Sequence, residues 1–306
     1  MWHRNILELH NIVSNVIRRC DSALSDITQR LKLLNRHDAL TILSISLGHP
    51  RAVYNLRSAP CFEDTSFLKE LDDALRDAVV SSCCVAMDDK CWDRDTLPPT
   101  SGGVGIRSAA DLAVPQFLAS LSATRPQADL LCGEAPDIAR DAAEARWRET
   151  NGADLPREGA TRLDTWTEPP AKAKRERVAS SVTSRSNIAR FLSASTPESA
   201  ILWTGIPNSR IGTRLSDNAL TIAMGLRLGL SVATPGVCRC GRVLNALGDH
   251  ALSCNKGVGR SARHTEVNAR IGSFLSEAGC PSVLEPAGLV RSDGKRPDGV
   301  TVLPFE

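Results

Sequence analysis

Apolar residues recur at three- and four-residue steps through the first part of the chain, with polar residues filling the positions between. Ile12, Val13, Val16, Ile17, Cys20, Leu24, Ile27, Leu31 and Leu34 form one such stripe, the spacing that lines up one face of a 3.6-residue helix. The run from His37 to Leu47 predicts a second helix, closed by Gly48 and Pro50. Asp64 stands where a third helix needs an N-cap, and Phe67, Leu68, Leu71, Leu75 and Val79 supply its buried side. The pattern is that of a helical bundle.

The periodicity stops between Asp95 and Gly103, where paired prolines and paired glycines read as a loop or short extended turn. Ser108 and Asp111 have the spacing of a capping box and open a helix expected to reach about Ser122. Residues 124–170, rich in Pro, Gly, Asp and Arg, read as linker around one short helix near 137–149. A further helix is expected over 171–194, carrying Lys172, Lys174, Arg175, Arg177, Arg185 and Arg190. Ser216 caps the next, which Gly229 ends. There is no internal repeat and no heptad array.

No apolar run reaches the roughly eighteen residues of a membrane-spanning helix, and the amino terminus lacks the apolar stretch of a signal peptide. An intracellular, reducing setting is therefore expected. There the ten cysteines read as thiols or metal ligands rather than disulfides. The net charge of +2 conceals an asymmetry: residues 1–170 hold 19 Lys and Arg against 25 Asp and Glu, and residues 171–306 hold 18 against 10. A basic carboxyl-terminal half suits a polyanionic partner, although a solvated basic surface has the same composition.

The strongest local signal is Cys238-x-Cys240, then His250, then Cys254. Four such donors can surround one tetrahedral zinc ion, and Gly241 and Gly248 fall where tight turns would fold them inward. His264 is a fifth candidate that could replace one of the four. Thiols packed in a small core are the alternative, weakened by how few large apolar residues lie nearby. Arg239, Arg242, Lys256, Arg260 and Arg263 surround this cluster and are the candidate nucleic-acid contacts. Cys83, Cys84 and Cys91 have no histidine among them and read as buried helical thiols.

Downstream, a helix opening at Arg263 carries Glu266, with Val267, Ile271 and Leu275 on one face. A short strand from Ser282 to Glu285 follows, and then Pro297-Asp298 opens another strand. This order is the front of a Pro-Asp nuclease core, in which Asp298 would hold a divalent metal beside a scissile phosphate. A Pro-Asp-Gly turn joining two strands accounts for the same residues.

In chain order these features are Leu97-Pro98, Gly102 to Ala110, Phe117 to Leu121, Arg214 to Asp217, Gly225 to Leu230, the Cys-x-Cys…His…Cys cluster and Ser292 to Gly299. Together they resemble the carboxyl-terminal part of reverse-transcriptase proteins from non-LTR retrotransposons that carry a restriction-enzyme-like endonuclease. The resemblance runs from about residue 30 and is most specific over 97–121 and 214–300.

The resemblance implies a mainly α fold in four parts: a thumb-like helical region over 1–95, a helical linker region over 96–235, a zinc knuckle over 236–264 and a truncated α/β nuclease-like segment over 265–306. It makes Cys238, Cys240, His250 and Cys254 the knuckle ligands, and Arg263 and His264 the start of a basic helix. It makes Asp298 the first nuclease aspartate, with Glu266 or Glu285 as candidate companions. The departures are that no Tyr-x-Asp-Asp turn occurs, Asp72-Asp73 sits in an amphipathic helix, and Asp88-Asp89 lacks a preceding aromatic. Neither active site of such a protein is expected to be whole. The implied activity is RNA or DNA binding, in the nucleus, with zinc as cofactor. Magnesium would enter only where a partner chain completed the nuclease or supplied the polymerase. A protein-interaction module with a purely structural zinc is the alternative.

Overall fold

The computed structural model describes residues 27–132, 138–151, 154–157, 160–257, 259–290 and 292–302, without the side chains of Leu131, Cys132 and Arg260. The stripe positions from Ile12 to Leu24 lie outside them. The described residues are mainly helical and divide into two compact units, meeting between Val232 and Ala233. No helix among them is long and apolar enough to cross a membrane.

The first unit contains α1 (27–31), α2 (Arg36–Ile42), α3 (His49–Ser58), α4 (Thr65–Cys83), α5 (Asp89–Asp95), α6 (Ala109–Cys132), α7 (Ile138–Asn151), α8 (Leu163–Ser181), α9 (Arg185–Ala194), α10 (Pro197–Thr204) and α11 (Asp217–Leu228). Several caps are those read from the sequence. Asp64 Oδ1 accepts from Phe67 N–H at 3.0 Å, Ser216 Oγ from Ala219 N–H at 3.4 Å, and Gly229 ends α11 in the left-handed conformation at φ +80°.

Other elements differ from expectation. Pro50 does not close the second helix but occupies the first turn of α3, where its missing N–H costs nothing. Gly48 separates the two because a Cβ there would stand 2.7 Å from the Leu43 carbonyl oxygen. The stretch read as linker is largely helical: α6 continues to Cys132 through Pro115 and Pro126, and α8 starts at Leu163 and contains Pro169 and Pro170. The Trp166 carbonyl, deprived of its helical partner by Pro170, accepts from Trp147 Nε1 at 3.3 Å. Instead of one helix over 171–194 there are two, broken at Val182 to Ser184, where Ser184 caps α9. Of the three thiols expected to be buried, Cys83 is buried and Cys91 half-buried. Cys84 is exposed because it is the left-handed C-cap of α4, at φ +52°.

No boundary at residue 95 separates cores. One apolar cluster joins Leu40, Leu75, Val79, Trp92, Val104, Leu220 and Met224. A second joins Leu56, Phe62, Phe67, Phe117, Trp147 and Trp166. Polar contacts tie the same distant segments: Asp217 Oδ1 accepts from Arg36 N–H at 2.9 Å, and Thr221 donates to the Cys83 carbonyl at 2.8 Å. Asp72, in α4, caps α6. It accepts from Ser108 Oγ at 2.5 Å and from the amides of Ala109 and Ala110 at 2.6 and 3.3 Å. Burial raises its pKa, and those hydrogen bonds oppose the rise.

The second unit pairs β1 (Gly236–Val237) with β2 (Val243–Leu244), both antiparallel, followed by α12 (Asp249–Ser253) and α13 (Gly259–Glu277). The hairpin of β3 (Ser282–Leu284) and β4 (Gly299–Thr301) packs on α13. Cys254 is the one buried apolar side chain found among its described residues apart from Pro286. Every described cluster of core side chains lies in the first unit.

Candidate metal centre

The first two donors sit on a hairpin. Cys238 N–H donates to the Arg242 carbonyl at 2.9 Å, and Gly241 N–H to the Cys238 carbonyl at 2.8 Å. This is a three-residue loop whose last residue must be left-handed, and Gly241 supplies φ +84°. Sequence alternation would send Cys238 and Cys240 to one side of an extended strand; the turn additionally brings their sulfurs around the same point.

The second pair comes from the short helix α12. Gly248 enters it at φ +69°, and Asn245 clamps its first residue. Asn245 Oδ1 accepts from Asp249 N–H at 3.2 Å, and its Nδ2 donates to the Asp249 carboxylate at 3.0 Å. Asn245 was not anticipated, although its four-residue spacing from Asp249 is visible in the sequence. One helical turn then separates His250 from Cys254, placing both on the face toward the hairpin.

All four donor atoms lie within 4.8 Å of one another. Cys238 Sγ stands 3.5 Å from Cys254 Sγ, and Cys240 Sγ 3.0 Å from His250 Nε2. A tetrahedral site with bonds of about 2.3 Å has donor separations of about 3.8 Å, so the set fits a single ion. The sulfur separation is far beyond the roughly 2.05 Å of a disulfide. The backbone amide of Cys240 lowers the pKa of the Cys238 thiol, and that of Arg242 lowers the pKa of Cys240. Cys254 is raised, first by its hydrogen bond with Cys238 and then by burial. Three sulfurs and an imidazole, two of the sulfurs already turned toward thiolate by amides, could hold a soft or borderline divalent ion.

His264, the fifth candidate, is not in this set. It stands in the second turn of α13, which begins at Gly259 rather than at Arg263, with Nε2 3.0 Å from Asp298 Oδ1, and Nδ1 3.4 Å from Asn268 Nδ2. Asp298 begins the approach to β4, and its carbonyl accepts from Glu285 N–H at 3.0 Å, extending the ladder. Glu266 is paired with Arg270 at 3.1 Å. No group of three ligand-capable residues among the described ones contains Asp298, Glu266 or Glu285. Arg239, Arg242 and Lys256 are exposed; Arg263 is exposed and donates to the Leu252 carbonyl at 3.3 Å. The Arg260 side chain lies outside the described residues. No protein-family model matches the chain, and no curated protein matches it.

Proposed function

We propose that the chain is the nucleic-acid-binding, carboxyl-terminal part of a retroelement reverse-transcriptase protein, with Cys238, Cys240, His250 and Cys254 holding one zinc ion. The observation that carries the zinc assignment is the convergence of four donors in a unit with almost no buried apolar surface. Val243 is 76% exposed, so burial cannot hold the hairpin to α12. A structural zinc of this type contributes on the order of 10 kcal/mol, enough to hold it. Once held, the loop presents Arg239 and Arg242 to solvent beside the site, which suits phosphate contacts. The retroelement assignment is supported by the order of motifs from Leu97 to Asp298. The same reading places the protein in the nucleus. No catalytic step is assigned, because Asp298 is paired with His264 rather than grouped with a second acid.

Metal analysis should find about one zinc per chain, absent from Cys240→Ser. Filter binding to RNA and duplex DNA should weaken steeply as salt rises, and weaken further when zinc is removed. Binding that is absent at low salt or indifferent to salt rejects the nucleic-acid reading; a metal-free chain with intact 236–257 structure rejects the zinc.

A second reading, a protein-interaction module, has its own observation. Val267, Ile271 and Phe274 lie on α13 at three- and four-residue steps and are 51%, 50% and 61% exposed. Co-purifying protein that survives nuclease treatment and is lost on Phe274→Ser would favour it.

A further inference from the structure

A second basic site is built wholly within the first unit, on the proline- and glycine-rich loop that follows α5. Gly103 admits no side chain, since a Cβ there would stand 1.7 Å from the Leu97 carbonyl oxygen. Val104 N–H donates to the Asp95 carbonyl at 3.1 Å. Arg227 of α11 pins the outside of the loop, donating from Nε to the Gly103 carbonyl at 2.8 Å and from its terminal nitrogens to the carbonyls of Pro99 and Ser199. The pinned loop brings Thr96 and Arg107 to a cleft of about 110 Å³ bordered by α6, α7 and α8.

Three cations line this cleft, Arg107, Lys174 and Arg177, against a single carboxylate, Asp111. Lys174 is already engaged, by Thr96 Oγ1 at 2.7 Å and by Asp111, with Asp93 at 3.7 Å. The two guanidinium groups make no hydrogen bond to a described residue; Arg107 feels only the nearby charge of Asp111. Arg107 is half-buried, and desolvation lowers its pKa. A desolvated guanidinium without an acceptor is costly, and its planar fork matches two oxygens of a phosphate. The volume accommodates several waters, or one phosphoryl group. Elsewhere on α8 the charges alternate, Lys172 lying one turn from both Glu168 and Glu176, so the choice of a polynucleotide over a small anion rests on the proposed function.

We infer that this cleft binds a backbone phosphate of a polynucleotide, through Arg107 and Arg177 with Lys174 behind them, using residues that share nothing with the metal centre. It shares with the proposed function only the class of partner. The test uses the full chain and a single-stranded RNA or DNA of mixed sequence in filter-binding titrations across salt. Arg107→Gln should weaken binding about tenfold and make the slope of log affinity against log salt shallower by about 0.7. Arg107→Lys should restore the slope but recover only part of the affinity, and Arg177→Gln, at an exposed position, should act in the same direction as Arg107→Gln without disturbing the fold. A Cys240→Ser chain should still bind, and adding Arg107→Gln to it should lower that residual binding about a further tenfold. Unchanged affinity and slope in both glutamine variants would overturn the inference. So would a Cys240→Ser chain that binds nothing, an outcome that leaves the knuckle reading standing. A thermal melt of Arg107→Gln at the wild-type position confirms that the comparison is between folded chains.

Discussion

Replacing Asp95 with asparagine should remove a pH dependence that the wild-type protein carries between neutrality and pH 8. Asp95 is fully buried, and neither carboxylate oxygen receives a hydrogen bond. Burial pushes its pKa up to about 8, with Lys174 pulling weakly the other way. In the unfolded chain the same group ionises near 3.8. Between those values unfolding releases a proton, so stability falls as pH rises, by at most about 1.4 kcal/mol per pH unit.

His49 opposes this at lower pH. Burial, and then Arg107, hold its pKa at about 4 against 6.5 unfolded, so it adds stability as pH rises between those values. From 6.5 to 8 the residual charge on unfolded His49, and on His37, whose pKa burial also lowers, opposes this by only a few tenths of a kcal/mol each. Over that window Asp95 should lower wild-type stability by about 2 kcal/mol. Urea denaturation with zinc present, at half-unit steps through the window, should show the wild-type midpoint falling. The Asp95→Asn midpoint should stay level or rise slightly, and the variant should be the more stable by pH 8. Parallel wild-type and variant profiles, or wild-type stability that rises with pH, would refute the reasoning.

Three further outcomes follow from single contacts. His264→Ala should retain zinc while His250→Ala loses it, by metal analysis, because His264 is bound to Asp298 and stands outside the donor set. Asp72→Ala should cost about 3 kcal/mol in urea denaturation, since it strips a charged cap from two amides and a hydroxyl at the start of α6. Gly103→Ala should cost at least about 3 kcal/mol or prevent folding of the first unit, seen by circular dichroism, because the new methyl would overlap the Leu97 carbonyl.

The sequence by itself determined what short-range chemistry controls. Amphipathic spacing and Asp64 marked α4, and Ser216 and Gly229 marked the ends of α11, because caps act within three residues of the backbone they satisfy. The four donors of the metal centre were legible for the same reason: all lie within seventeen residues, and the glycines that turn them inward lie among them.

Tertiary structure decided whatever depends on distant partners. Prolines 126, 169 and 170 fall in the stretch read as linker, yet α6 and α8 continue through them, and at α8 Trp147, about twenty residues away in sequence, takes up the carbonyl freed at Trp166. Only the tertiary structure sets the fifth ligand candidate apart from the four grouped donors, pairing His264 with Asp298 thirty-four residues away. Asp72 as the cap of α6, Arg227 as the clamp on the 99–103 loop, and the cations around the α6–α8 cleft are invisible to any local window. Asp72, Arg227 and Lys174 each engage a group contributed by a segment 36 to 128 residues away in sequence, where only the packed fold can place it.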